Sequence, residues 1–163
     1  MKRLSLVAPE QFRAALGTYT TGVAAVTAFD EETRRPYGIA VNSFTSVSLC
    51  PPLVAFCVAH TSTTWPHIRH LGAICVNILA EGQEVVCREL AFPGEDKFRN
   101  LSWSLSPGGG PLLHGTLAWL DCVIQREYLA GDHTIVVAEV HDLEHREEAL
   151  PLVFFRGAFG LPA

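Results

Sequence analysis

A chain of 163 residues, with 17 acidic against 12 basic side chains and a formal charge of −5, falls in the size range of one domain, roughly 100–200 residues. The negative balance argues against a nucleic-acid footprint, which needs a basic patch or stripe; Lys2-Arg3 and Arg34-Arg35 are too isolated to make one. No run approaches the ~20 apolar residues of a membrane helix. Pro9-Glu10-Gln11 also cuts short the apolar stretch after Met1-Lys2-Arg3 that would open a signal peptide, so the expected setting is the cytoplasm.

Pro9 to Leu16 reads as a short helix, with Phe12, Ala15 and Leu16 on one stripe and Gly17 as its stop. Val23 to Phe29 is the first strand, and the polar run Asp30 to Pro36 a hairpin loop. Tyr37 to Leu49 and Leu53 to Ala59 are the next strands. Thr64-Trp65-Pro66 opens a helix that ends near Leu71-Gly72, in the order expected of a threonine cap, an early proline and a glycine stop. Ala73 to Leu79 reads as a strand buried on both faces. Glu81 to Ala91 reads as a helix with an i,i+4 pair between Glu84 and Arg88.

Phe92 to Pro111 is expected to be a long irregular connection, and connections of that length are often functional. Gly108-Gly109-Gly110-Pro111 lacks the spacing and following helix of a dinucleotide fingerprint and reads as a loop turn. Leu112 to Leu129, His133 to Leu143 and Leu152 to Phe159 complete the strands, with Gly131-Asp132 as a tight turn. About seven strands and three short helices point to a mainly β chain, an antiparallel barrel of Greek-key type, and not to βαβ repetition.

Five cysteines, Cys50, Cys57, Cys75, Cys87 and Cys122, form no CxxC pair, and most lie in apolar runs; they read as buried thiols in a reducing compartment. With 48% hydrophobic and only 18% charged residues, the chain is apolar enough to suggest a homodimer interface. His67 and His70, three apart on one helix, lack an evident third partner for a metal.

The segment Asn42-Ser43-Phe44-Thr45-Ser46-Val47-Ser48-Leu49-Cys50-Pro51-Pro52, followed by His60-Thr61-Ser62-Thr63-Thr64, crowds hydroxyls and an amide into a strand-like stretch. Buried without partners each hydroxyl costs about 1–3 kcal/mol. These side chains therefore face either solvent or a planar, acceptor-rich ligand that carries a phosphate. Ser62 and Thr64, just before a helix, provide either a cap or an anion site. His133, at the start of an apolar strand, is either a structural turn residue or a ligand contact. Lys97 is either an exposed loop lysine or the cation for a charged ligand.

This order of segments, together with Thr20-Thr21-Gly22-Val23, Val76-Asn77-Ile78-Leu79, Asp96-Lys97-Phe98, Gly131-Asp132-His133 and Arg156-Gly157, resembles the flavin reductase-like family from about Phe12 to Gly157. These are small NAD(P)H:flavin oxidoreductases that supply reduced flavin to two-component monooxygenases. The resemblance implies one split β-barrel domain over residues 1–163 that dimerises with flavin near the subunit interface. It implies FAD or FMN as flavin, NADH or NADPH as hydride donor, and a partner monooxygenase reached by diffusion of reduced flavin. It places Asn42, Ser43, Ser46, Val47 and Ala59 along the isoalloxazine ring, Ser62 and Thr64 at the phosphate, and His133 near flavin and nicotinamide. Lys97 would serve the charge, and Phe155 would stack on nicotinamide or fill a core strand. Cys50 stands where the family often has an acidic residue. The same strands would also suit an electron carrier or sequestering protein that keeps its flavin and lacks nicotinamide-dependent activity.

Overall fold

The structure is a computed structural model that describes residues 6–92, 94 and 96–160. In chain order it runs α1 (Pro9–Leu16), β1 (Thr21–Gly22), β2 (Ala24–Asp30), β3 (Arg35–Val41), β4 (Thr45–Leu49), β5 (Pro52–Ala59), α2 (Trp65–Leu71) and β6 (Ala73–Ile78). It continues with α3 (Glu84–Ala91), β7 (Trp103–Leu105), β8 (Pro111–Leu113), β9 (Ala118–Ala130), β10 (His133–His145), β11 (Val153–Phe155) and β12 (Ala158–Phe159). Seven strands form one antiparallel sheet in the order β3-β2-β6-β9-β10-β5-β4. The strand pair β7-β8 and the trio β1-β11-β12 lie apart from it.

Inward-facing Val26, Phe56, Val76 and Val136 meet Ile68 and Trp65 of α2 in one core cluster. On the other side Leu79, Leu90 of α3, Phe98 and Leu113 make a second. Full burial of such a side chain stabilises by about 1.5–3 kcal/mol. Between the two, Asn77 has no exposed surface. Its amide nitrogen donates to the Pro111 carbonyl (3.1 Å) and to Thr27 Oγ1 (3.2 Å), and its Oδ1 accepts the Leu113 N–H (2.8 Å). Thr27 in turn donates to the Pro111 carbonyl at 2.6 Å. A buried carboxamide held this way escapes the penalty of unmet polar groups.

The triglycine stretch is a loop, as its sequence indicates, and at Gly110 the glycine is required by space. A Cβ there would lie 2.7 Å from Cys75 Cβ and 3.0 Å from the Cys75 backbone nitrogen. The loop is fastened by Asp121, which accepts from Ser106 Oγ and the Gly108 N–H, both at 2.6 Å.

Several elements differ from their sequence reading. Tyr37 to Leu49 is two strands, because β3 pairs with β2 and β4 pairs with β5 at opposite ends of the sheet order. Leu112 to Leu129 is broken by a turn at Gly115 (φ +88°), and the long connection before it contains β7, which pairs back onto β8. Leu152 to Phe159 is a tight hairpin, turned at Arg156 (φ +48°) and Gly157 (φ +80°). The third helix starts at Glu84, after a turn in which Gln83 Oε1 accepts the Ala80 N–H at 2.9 Å; the Glu84–Arg88 pair forms at 3.6 Å.

Not every thiol is buried: Cys50 is exposed and Cys57 and Cys87 are half-buried. Burial pushes the Cys75 thiol upward and Cys122 up to about 12, so both stay protonated.

The link Asn42–Phe44 between β3 and β4 is fastened by Ser43, whose Oγ accepts the Cys57 N–H at 2.8 Å and donates to the Cys57 carbonyl at 3.3 Å. One hydroxyl thus replaces a rung of the ladder on β5. Ser43→Ala should leave both backbone groups unpaired and lower stability by about 1–3 kcal/mol, read as a lower urea midpoint for the flavin-free protein. An unchanged midpoint would mean that the rung is dispensable.

Candidate functional site

A cleft of about 500 Å³ opens beside this seam. One wall is β3 from Ile39 to Val41 with Asn42 and Ser43; the other is the end of β5, Cys57 to Ala59, and the loop Thr61 to Thr64. The last residues of α3, Lys97 and His133 close it. His133 stands there because the two-residue Gly131-Asp132 turn sets it opposite Ala59 in the β10–β5 register.

The loop after β5 is rich in unspent donors. The Ser62 N–H bonds the Ala59 carbonyl at 3.0 Å, and the His60 N–H bonds the Asp132 carbonyl at 3.0 Å. The N–H groups of Thr61, Thr63 and Thr64 make no hydrogen bond to any described residue. Ser62 Oγ, not Thr64, accepts the Trp65 N–H (3.2 Å) at the start of α2. The expected threonine cap is therefore corrected: Thr64 takes a helical backbone angle, φ −86° and ψ −33°, which turns its hydroxyl away from capping geometry. Thr64 is only 8% exposed, yet its hydroxyl finds no partner among the described residues and lines the cleft. The Asn42 carboxamide is likewise unpaired within the described residues.

Lys97 is neither a free loop lysine nor deeply buried. Its ammonium donates to the Leu90 carbonyl in the last turn of α3 (2.8 Å) and to the Gly38 carbonyl (3.4 Å), where a cation suits the helix end. Partial burial holds its pKa below the usual lysine range. No acidic side chain is among the described residues lining this cleft, in a chain of net charge −5.

His133 Nδ1 lies 2.7 Å from Asp132 Oδ1. A carboxylate only accepts, so Nδ1 carries the proton and Nε2 is left for other partners. That hydrogen bond and the charge of His133 hold the Asp132 carboxyl below the usual range.

Of the residues singled out from sequence, Asn42, Ser43, Ala59, Ser62, Thr64, Lys97 and His133 come together here. Ser46, Val47 and Phe155 do not line the cleft. Past Phe44 the chain runs out along β5, and the β4 register shifts between Ser46 and Ser48, so Val47 sits on an outer bulge, 53% exposed. Phe155 belongs to β11, which pairs with β1, and the Arg156 guanidinium lies 5.0 Å from its ring centre. Sequence reasoning missed Thr61 and Thr63 as donors and the α3 end, Leu90 to Phe92, as a wall. Phe92, 69% exposed, carried a signal in hindsight, an aromatic residue set just past a helix end.

The fold is thus a mainly β barrel with a cleft beside its seam, lined by donors that no described residue uses. Residues 16–161 match the flavin reductase like domain, and the chain belongs to that family. It is 47% identical over 156 residues to a flavin reductase of Pseudomonas putida, covering 96% of this chain and 91% of that one. It is 40% identical over 151 residues to HsaB, the reductase subunit of a flavin-dependent monooxygenase of Rhodococcus jostii, covering 93% and 76%. Among solved structures, the NADH:FAD oxidoreductase SgcE6 of Streptomyces globisporus, in complex with NAD and FAD fragments, matches with a TM-score of 0.88 at 36% identity, covering 98% of each chain.

Proposed function

We infer that this chain is a flavin reductase: it takes electrons from NADH, reduces a flavin, and releases the product to a separate flavin-dependent monooxygenase. The observation that carries this reading is the set of N–H groups at Thr61, Thr63 and Thr64 beside the Asn42 carboxamide, none of them paired with a described residue. A flavin phosphate accepts from the first group, and the edge of the ring system exchanges hydrogen bonds with the second. Nicotinamide C4 supplies a hydride and flavin N5 accepts it, so no nucleophile or general base is asked of the protein. What the residues contribute is position and charge. Val58 and Ala59 provide a wall, Thr63 and Thr64 hold the phosphate end, and Lys97 offsets negative charge in a groove whose described lining residues include no carboxylate. His133, with its Nδ1 proton committed to Asp132, keeps Nε2 free to meet the nicotinamide.

The chain works as one domain in the cytoplasm, where its free thiols stay reduced, and as a homodimer. Support for the dimer comes from α1, which buries none of its residues, with Phe12 60% and Leu16 51% exposed, and from the edge strand β4, where Leu49 is 92% exposed. A second copy covers these faces, with more than ~2,000 Å² buried in total; sedimentation at micromolar concentration should give twice the chain mass, and an active monomer would refute the dimer.

The reading itself is tested by NADH oxidation with and without added flavin. A protein that purifies yellow and oxidises no NADH would be a flavin carrier. Ser62→Ala with Thr64→Ala should weaken FMN binding tenfold or more, since charge-assisted bonds are worth about 1.5–3 kcal/mol each, and leave riboflavin binding unchanged. Equal losses for both ligands would move the phosphate elsewhere.

His133→Ala should lower kcat/KM for NADH about tenfold, about 1.4 kcal/mol of transition-state stabilisation, with the affinity for oxidised flavin kept. A rise in KM alone would assign it to placing the dinucleotide, and a fall in kcat to the transition state. Stopped-flow reduction at an unchanged rate in a folded variant would make His133 a turn residue only.

A further inference from the structure

The groove does not stop at Thr64. A second cleft of about 350 Å³ shares Thr63, Thr64 and Lys97 with the first and is walled by Gly38, Tyr37 and His67. The rings of Tyr37 and His67 stack face to face, with centroids 4.7 Å apart and planes 7° from parallel. Its volume lies within the ~300–1,000 Å³ of small-ligand sites. The N–H groups of Thr63 and Thr64 and the hydroxyl of Thr64, a residue only 8% exposed, have no partners among the described residues and stand between the two clefts.

A ligand that fills both clefts must carry its anionic part in the middle and a flat ring at each end. FMN ends at its phosphate, whereas FAD continues through a second phosphate into adenosine. We propose that the second cleft receives the adenylate half of FAD, with the Tyr37–His67 pair as the wall for adenine, and that the chain thereby selects FAD over FMN. This rests on the flavin reading above. A Cβ at Gly38 would lie 2.8 Å from Leu90 Cδ2 and 3.0 Å from Phe98 Cζ, so the glycine lets β3 pack closely against the end of α3 beside the cleft. Lys97, tied to the Gly38 and Leu90 carbonyls, sets a positive charge beside the point where the two phosphates would lie.

Calorimetric titration of the intact protein with riboflavin, FMN, FAD and NAD+ tests the proposal. Wild type should bind FAD at least tenfold more tightly than FMN. His67 is exposed, so His67→Ala leaves the core untouched; it should weaken FAD about tenfold, with FMN and riboflavin unchanged, and His67→Phe, which keeps a ring, should restore FAD. Equal affinity of wild type for FMN and FAD, or a parallel loss of both in His67→Ala, would overturn the subsite while the flavin reading stands. A variant that keeps FAD but loses NAD+ would assign the adenylate to the nicotinamide dinucleotide and overturn it too. Failure of every flavin to bind would remove the underlying reading and the subsite together.

Discussion

The structure depends on a short tether. Strands β3 and β4 are consecutive in the chain but stand at opposite ends of a seven-strand order. In a flat sheet six spacings of ~4.8 Å would part them by about 29 Å. From Val41 to Thr45 the chain takes four steps, which reach at most about 14 Å. The sheet has no choice but to curl until its two ends face each other, and right-handed strand twist lends itself to that closure. At the seam, Ser43 supplies from a side chain the pairing with Cys57 that the ladder does not.

The cleft follows from the same closure. Where two sheet ends approach without pairing, a gap lined by backbone is left, and the residues that border it are set by register and not by local sequence pattern. His133 reaches it because the β9–β10 turn is two residues long and β10 pairs with β5 to its end. Lys97 reaches it from a connection far along the chain, by holding the C-terminal turn of α3. Glu127 secures the opposite bank: it accepts from Trp65 Nε1 at 3.2 Å and pairs with Arg69 at 2.6 Å, binding α2 to β9. The donors of the Thr61–Thr64 loop are thereby held between two anchored elements before any ligand arrives, which spares part of the ordering cost of binding.

Much of this was legible in the residues. Alternation and turn chemistry located most strands of the sheet, because a half-buried strand must alternate and Gly131-Asp132 is a hairpin turn. The hydroxyl-rich run from Asn42 to Ser48 is unfit for a core, and none of it is buried. What could not be read was long-range. Nothing local marks Asn42–Phe44 as a crossing, since β-branched and aromatic residues stand on both sides of it. Ser46 and Val47 look like their neighbours Asn42 and Ser43, and only the bulge and the pairing with β5 separate them from the cleft. Thr64 met the sequence rule for a cap, but Ser62 took the role, and that exchange leaves the Thr64 hydroxyl unspent. Phe155 sat in an apparently continuous strand, and Arg156-Gly157 turned that strand back on itself.

Asn77 carries a consequence of a different kind. A strand with one wet face finds its register by alternation, because a slip of one residue would turn its apolar side outward. Along β6 both faces are covered from Ile74 to Asn77, and its apolar neighbours would be nearly as content one place along. The carboxamide of Asn77 would not, since only the observed alignment gives it the Pro111 carbonyl, Thr27 Oγ1 and the Leu113 N–H together. A slipped β6 would strand a polar group in a dry interior. The alignment of β6 is thus encoded in one side chain, an address label written in hydrogen bonds where the hydrophobic pattern is silent.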